Sequence, residues 1–92
     1  MIKGAIDVEK EIIALGGEFH IDASALLLEN GSTKDNVWGF NIILDKQKDS
    51  PDWIEYLALI NIKPNQNRSM EIENKEVRQK IRKILENLII NN

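Results

Sequence analysis

The sequence predicts an α+β fold, and three observations carry that expectation. Val37 to Lys63 reads as two apolar runs alternating with period two around a polar turn. The stretch from Asn74 to Leu88 carries an apolar stripe at helical spacing. Between them and the N-terminus, Ala25 to Glu29 is a short run of helix formers closed by Asn30-Gly31.

The first segment is open on its residues alone. Ala5, Val8, Ile12 and Leu15 fit a helical stripe that Gly16-Gly17 would stop. Ile6 and Val8, then Ile13 and Leu15, instead alternate like two short strands around Glu9-Lys10, with Ile6 facing Ile13. Glu and Lys are poor residues for a two-residue hairpin turn, which favours the helix and an αα-β-hairpin-α order with residues 5–15 helical. Asp22 or Ser24 then caps the helix that includes Ala25 to Glu29. Ser32 to Asn36 is a polar loop.

Val37 to Asp45 is a strand with Trp38, Phe40, Ile42 and Leu44 on one face. Val37, Gly39, Asn41 and Ile43 share the other. Lys46 to Asp52, with Ser50-Pro51-Asp52, is a turn. Trp53 to Lys63 is a second strand whose more apolar face holds Ile54, Tyr56, Ala58, Ile60 and Ile62. Centring the loop near Asp49 sets Phe40 opposite Ala58 and Trp38 opposite Ile60, favourable cross-strand pairs. The two tryptophans, Trp38 and Trp53, read as core or rim. Pro64 ends the strand because it cannot donate to the ladder, and Asn65 to Asn67 is loop. Asn74 caps the last helix, whose stripe is Val77, Ile81, Ile84, Leu85 and Leu88.

Composition narrows the function classes. Ninety-two residues make one domain, 1–92, with a modest core. A hydrophobic fraction of 42% and a charged fraction of 29% suit a soluble globular protein rather than a disordered one. The chain has no cysteine and one histidine, so it lacks disulfides, thiolate chemistry and the usual zinc ligand sets, and no metal site is expected. The net charge is −3, with four basic and eight acidic residues in 1–46 and eight and seven in 47–92. That is not the basic excess of a dedicated nucleic-acid binder. Apolar runs fall short of a membrane span, and the N-terminus lacks a signal-peptide pattern, so the expected setting is the cytoplasm without a membrane partner. Glycine-rich phosphate loops and Ser-His-Asp arrangements are missing too, and no cofactor is expected.

Two groups of polar residues stand out. Glu18, His20 and Asp22 follow a Glu-x-His-x-Asp spacing, which in an extended stretch projects all three from one face. A carboxylate beside an imidazole suits general-base work; the plainer alternative is a polar helix entry in which Asp22 caps. Asn41, Asn61, Lys63, Asn65, Gln66, Asn67, Arg68 and Ser69 form the second group. Asn41 and Asn61 interrupt apolar strands, and buried amides need partners. Arg68 is suited to gripping a carboxylate or phosphate; the alternative is a loop tied down by its amides, with Arg68 paired to Glu71 or Glu55.

A resemblance joins these residues. Asp7-Val8-Glu9-Lys10, Gly16-Gly17-Glu18-Phe19-His20-Ile21-Asp22, Leu27-Leu28-Glu29-Asn30-Gly31-Ser32, Val37-Trp38-Gly39-Phe40-Asn41, Trp53-Ile54-Glu55-Tyr56, Leu59-Ile60-Asn61-Ile62-Lys63-Pro64 and Asn67-Arg68-Ser69 together resemble a family of small prokaryotic domains of unknown function. The resemblance spans nearly the whole chain. That family usually has Gly where this chain has Glu11, which looks like the left-handed position of a hairpin turn. The resemblance thereby implies a hairpin over residues 2–15 and the order ββαββα. An antiparallel sheet of about four strands would pack one face against both helices. The family also tends to carry Arg at Lys63, Ser at Ala58, and one more residue between Pro64 and Asn67. It supplies no activity.

The sequence thus points to a non-catalytic binding or interaction module. Its expected surface is Asn61 to Ser69 with His20 nearby, and its contacts are Asn41, Asn61, Lys63, Gln66, Asn67 and Arg68. The partner would be a protein or a small anionic ligand. The alternative is a small hydrolase-like enzyme with His20 as base, Glu18 or Asp22 beside it, and Arg68 as anion clamp. A second alternative is weak nucleic-acid contact through Lys75, Arg78, Lys80, Arg82 and Lys83 on the last helix. Leu57 and Leu59 leave a homodimer open.

Overall fold

The computed structural model describes residues 1–88. In chain order the elements are β1 (Ile2–Asp7), β2 (Ile12–Leu15), α1 (His20–Glu29), β3 (Val37–Ile42), β4 (Ile54–Glu55) and α2 (Lys75–Leu88). Single 3₁₀ turns occupy Lys34–Asn36 and Leu59–Asn61. The four strands form one sheet, ordered β2-β1-β3-β4, with every pair antiparallel. The fold is α+β in the order ββαββα. Among the described residues no helix is long and apolar enough to cross a membrane.

The helical alternative for residues 5–15 is overturned. Ala5 pairs with Ala14 on one side and Gly39 on the other, and Ile6 with Ile13 and Trp38. A strand hydrogen-bonded on both edges beats a marginal helix stripe because each backbone group finds a partner. The turn between β1 and β2 is organised by Asp7. Its buried carboxylate accepts the N–H groups of Glu9 and Lys10, both at 2.9 Å, while its carbonyl accepts the N–H of Glu11 at 2.8 Å. Glu11 closes the turn in the left-handed region, at φ 58°. Glu9-Lys10 is therefore the middle of a longer loop, and the rule against Glu-Lys in two-residue turns does not apply.

The helices lie on opposite faces, not on one. Ile6, Trp38, Phe40, Ile42, Trp53 and Ile54 pack with Ile81, Ile84 and Leu85 of α2. The alternate residues Ala5 and Val37 pack with Ala23 and Leu27 of α1. All six residues of β3 are buried, so both faces of this central strand needed cover. Phe40 lies across Gly4, where an added Cβ would meet its Cζ at 2.6 Å.

The second hairpin is the larger correction. Its outer strand is only Ile54–Glu55, in register Ile42 with Ile54 and Asn41 with Glu55, not Phe40 with Ala58. Beyond it the chain leaves β3. Tyr56 and Ala58 exchange hydrogen bonds with Ile72 and Met70, bridging Leu57 to Glu71. The inner strand also stops at Ile42, three residues short of Asp45. Helix α1 begins at His20 with Phe19 in the cap position and no side-chain cap, so neither Asp22 nor Ser24 caps it. Asn74 does cap α2, accepting the N–H groups of Glu76 at 2.8 Å and Val77 at 3.2 Å.

Two outcomes are expected. A side chain in the left-handed region costs about 1–2 kcal/mol, part of which glycine returns as unfolded-state entropy. Glu11→Gly should therefore raise stability by about 1 kcal/mol in urea unfolding; an unchanged or lower midpoint would show that Glu11 is not strained. For Asp7, burial raises the carboxyl pKa, but the Ser32 hydroxyl, the two N–H groups and the Lys10 charge outweigh it and hold it below the ordinary 3.8. A depressed folded pKa gives stability that is present above the unfolded value and lost as pH falls through the folded one. The stability gap between wild type and Asp7→Asn should thus shrink as pH drops below 3.8, read from unfolding curves at stepped pH. A gap that stays constant would remove the carboxylate from this role.

Candidate functional site

The amides expected to bind a ligand turn out to hold the backbone. Asn61 is fully buried, and its carboxamide pairs with Gly39 as a neighbouring strand would. Its Oδ1 accepts the Gly39 N–H at 2.7 Å, and its Nδ2 donates to the carbonyls of Gly39 and Met70, each at 3.1 Å. Asn67, also buried, donates to the carbonyls of Asn61, Ser69 and Glu71 at 2.9–3.0 Å and accepts the N–H of Glu73 at 2.9 Å. The donors of both side chains are committed within the chain. Gln66 is exposed in the turn between Lys63 and Asn67, where Asn65 adopts a left-handed φ of 66°. Arg68 is exposed and forms no ion pair among the described residues; Glu71 faces Arg78 instead, and Glu55 faces Asn41.

Lys63 is the unusual member of the group. It is 8% exposed, yet carries an ammonium. Its Nζ donates to the carbonyls of Lys34 and Val37, the latter at 2.7 Å, and lies 4.7 Å from the Trp38 ring centroid. Burial pushes its pKa below the ordinary value, Lys34 adds to the shift, and Asp35 opposes it. Lys63 also borders a groove of about 400 Å³ between α1, the Lys34–Val37 segment and the Ile60–Pro64 segment. Ile21, Leu28, Ile60 and Ile62 give the groove apolar walls, and Ser24, Asp35 and Lys63 give it polar points. Ile21 and Ile62 are 64% and 47% exposed. The sequence does not single out these groove residues other than Lys63: Ser24 reads as a cap, and Ile60 and Ile62 read as strand. The Leu59–Asn61 turn that exposes them has no local signature.

His20 is oriented by residues far from it in sequence. Its Nε2 donates to Asn41 Oδ1 at 2.7 Å and to the Phe40 carbonyl at 3.0 Å. Since both partners are acceptors, Nε2 carries a proton. Asn41 is fixed in turn, donating to Glu55 Oε1 at 2.8 Å and to the Leu57 carbonyl at 3.1 Å. Neither Glu18 nor Asp22 bonds to the ring. Because α1 starts at His20, the stretch 18–22 is not extended, and Asp22 sits roughly 200° around the helix from His20. Among the described residues no group of three His, Cys, Asp or Glu side chains is placed to hold a metal ion. On α2, Arg82 donates to the carbonyls of Lys48 and Ser50 and pairs with Glu86, so the basic face is smaller than its composition suggests.

The fold and site define a small α+β protein with an open groove beside α1 and no assembled metal centre among its described residues. Over residues 1–88 the chain matches the family described as "Protein of unknown function (DUF5674)", and it belongs to that family. No curated protein and no solved structure matches it.

The two kinds of polar residue should separate on mutation. Each buried hydrogen bond is worth about 1 kcal/mol net, so Asn67→Ala should cost roughly 2–4 kcal/mol. Asn67→Asp should cost as much, because it turns a carboxylate toward three carbonyls. Arg68→Ala should stay within about 0.5 kcal/mol of wild type. Thermal unfolding of the three variants checks this; a large loss from Arg68→Ala would make that residue structural.

Proposed function

We propose that this protein is a non-catalytic binding module whose site is the groove between α1 and the Ile60–Pro64 segment. One observation carries the reading: apolar side chains left exposed around a concavity with a few polar points in its lining. Small-ligand sites have this composition, and their volumes run from about 300 to 1,000 Å³. The groove stands near the lower end, which suits a small ligand with an apolar body. Relative to the sequence expectation, the surface shifts from the amides of 61–69 to the neighbouring groove, with Lys63 common to both. A cytoplasmic, prokaryotic setting belongs to the same reading, supported by the cysteine-free composition and the resemblance described above.

A hydrolytic reading has the fixed imidazole of His20 in its favour. Against it, no hydroxyl is hydrogen-bonded to that ring among the described residues, and a general base must reach the proton it takes. Nucleic-acid contact through α2 loses Arg82 to backbone carbonyls and Arg78 to Glu71.

A neutral fluorophore, N-phenyl-1-naphthylamine, tests the groove. Saturable enhancement is expected with the folded wild type, and at least a ten-fold weaker affinity with the double variant Ile21→Ser/Ile62→Ser at unchanged melting temperature. Absence of binding, or equal binding by the variant, would overturn the reading.

A further inference from the structure

Lys63 is a buried cation with no carboxylate in direct ion-pair contact, Asp35 acting on it only from beyond 4.0 Å. The ion pairs of the described residues join Arg78 to Glu71 and Arg82 to Glu86, both on partly exposed surface, while Lys63 has no carboxylate within 4.0 Å. A charge removed from water is costly unless it is paired. Two carbonyls and the Trp38 face supply dipoles but no opposite charge. The same groove holds a second unused group. Ser24 is 8% exposed, and its hydroxyl has no partner among the described residues yet is not sealed from solvent. The charged residues of the lining are Lys34, Lys63 and Asp35, so the groove carries one net positive charge on a chain whose net charge is −3.

Resting on the groove reading above, we propose that the ligand is a small aliphatic carboxylate: its chain lies along Ile21, Leu28, Ile60 and Ile62, and its carboxylate meets the Lys63 ammonium and the Ser24 hydroxyl. Donor number selects the head group. An ammonium has three N–H donors, and two are engaged by the Lys34 and Val37 carbonyls. The remaining N–H and one O–H match the two oxygens of a carboxylate. A phosphate monoester brings three terminal oxygens and up to two charges, and the Asp35 carboxylate at the rim disfavours the second. The ligand charge would supply a direct counter-ion, whose attraction offsets the desolvation that depresses the Lys63 pKa.

Octanoate, 1-octanol, octylammonium and octyl phosphate share one chain and differ in the head. Their displacement of N-phenyl-1-naphthylamine from the wild-type protein is the test. Octanoate is expected to compete at least ten-fold more tightly than octanol, with octyl phosphate weaker than octanoate and octylammonium weakest. Addition of octanoate should also move the Lys63 ¹⁵Nζ resonance, and Ser24→Ala should weaken octanoate several-fold while leaving octanol unchanged. Lys63→Met should abolish the preference for octanoate over octanol; should that variant fail to fold, the head-group series and Ser24→Ala decide alone. Equal competition by octanoate and octanol, or tighter competition by octyl phosphate, overturns the carboxylate while the groove stands. Failure of the neutral fluorophore itself to bind overturns both.

Discussion

The carboxamide of Asn61 against the backbone of Gly39 is the interaction on which the second half of the structure depends. β3 is paired along its whole length with β1, but β4 covers its other edge only at Asn41 and Ile42. Past Glu55 the chain turns away to pair with residues 70–72. Unpaired backbone groups in a buried strand are not tolerated. Asn61 supplies a donor and an acceptor to Gly39, and Lys63 supplies a donor to Val37. Two side chains thus stand in for the missing strand. The same approach explains Gly39: a Cβ there would lie 2.5 Å from that of Ala58. Asn67 then holds the Asn61 carbonyl and the return segment, so the three polar residues form one support.

This support also shapes the groove. A continuous ladder to Lys63 would have laid Ile60 and Ile62 flat against the sheet. The 3₁₀ turn at Leu59–Asn61 lifts that segment beside α1, where Ile60, Ile62 and Lys63 line the groove. The opposite wall is set by the first hairpin. Lys10 donates to the Gly31 carbonyl, and the Val8 N–H to that of Asn36, which anchors the Lys34–Asn36 turn. The buried ammonium thus completes the edge of β3, while the same residue lines the groove.

The cluster of amides was legible in the sequence, but its meaning was not. Asn, Lys and Arg gathered after a strand are equally the composition of a ligand loop and of a backbone clamp. Burial separates the two. Asn61 and Asn67 face carbonyls and have no donor left, whereas Arg68 and Gln66 face water. The Glu-x-His-x-Asp spacing failed for a related reason. A helix starting at His20 turned Asp22 away, and the group that orients the ring came from β3, 21 residues on.

The sequence by itself determined the elements whose burial repeats locally. Val37 to Ile42 is apolar at nearly every position because both faces are covered, the stripe of α2 recurs every three to four residues, and Asn74 marks the start of that helix. Resemblance was needed for the first hairpin, since Glu11 replaces the glycine that would have announced its left-handed turn. Only the tertiary structure decided which faces the helices cover, where the chain leaves β3, and that a groove opens there. The first rests on apolar packing between distant elements, and the others on hydrogen bonds between side chains and backbone 22 and 26 residues apart. Contacts of that range leave no period in a sequence, because the residues that meet are chosen by the path of the chain and not by their neighbours.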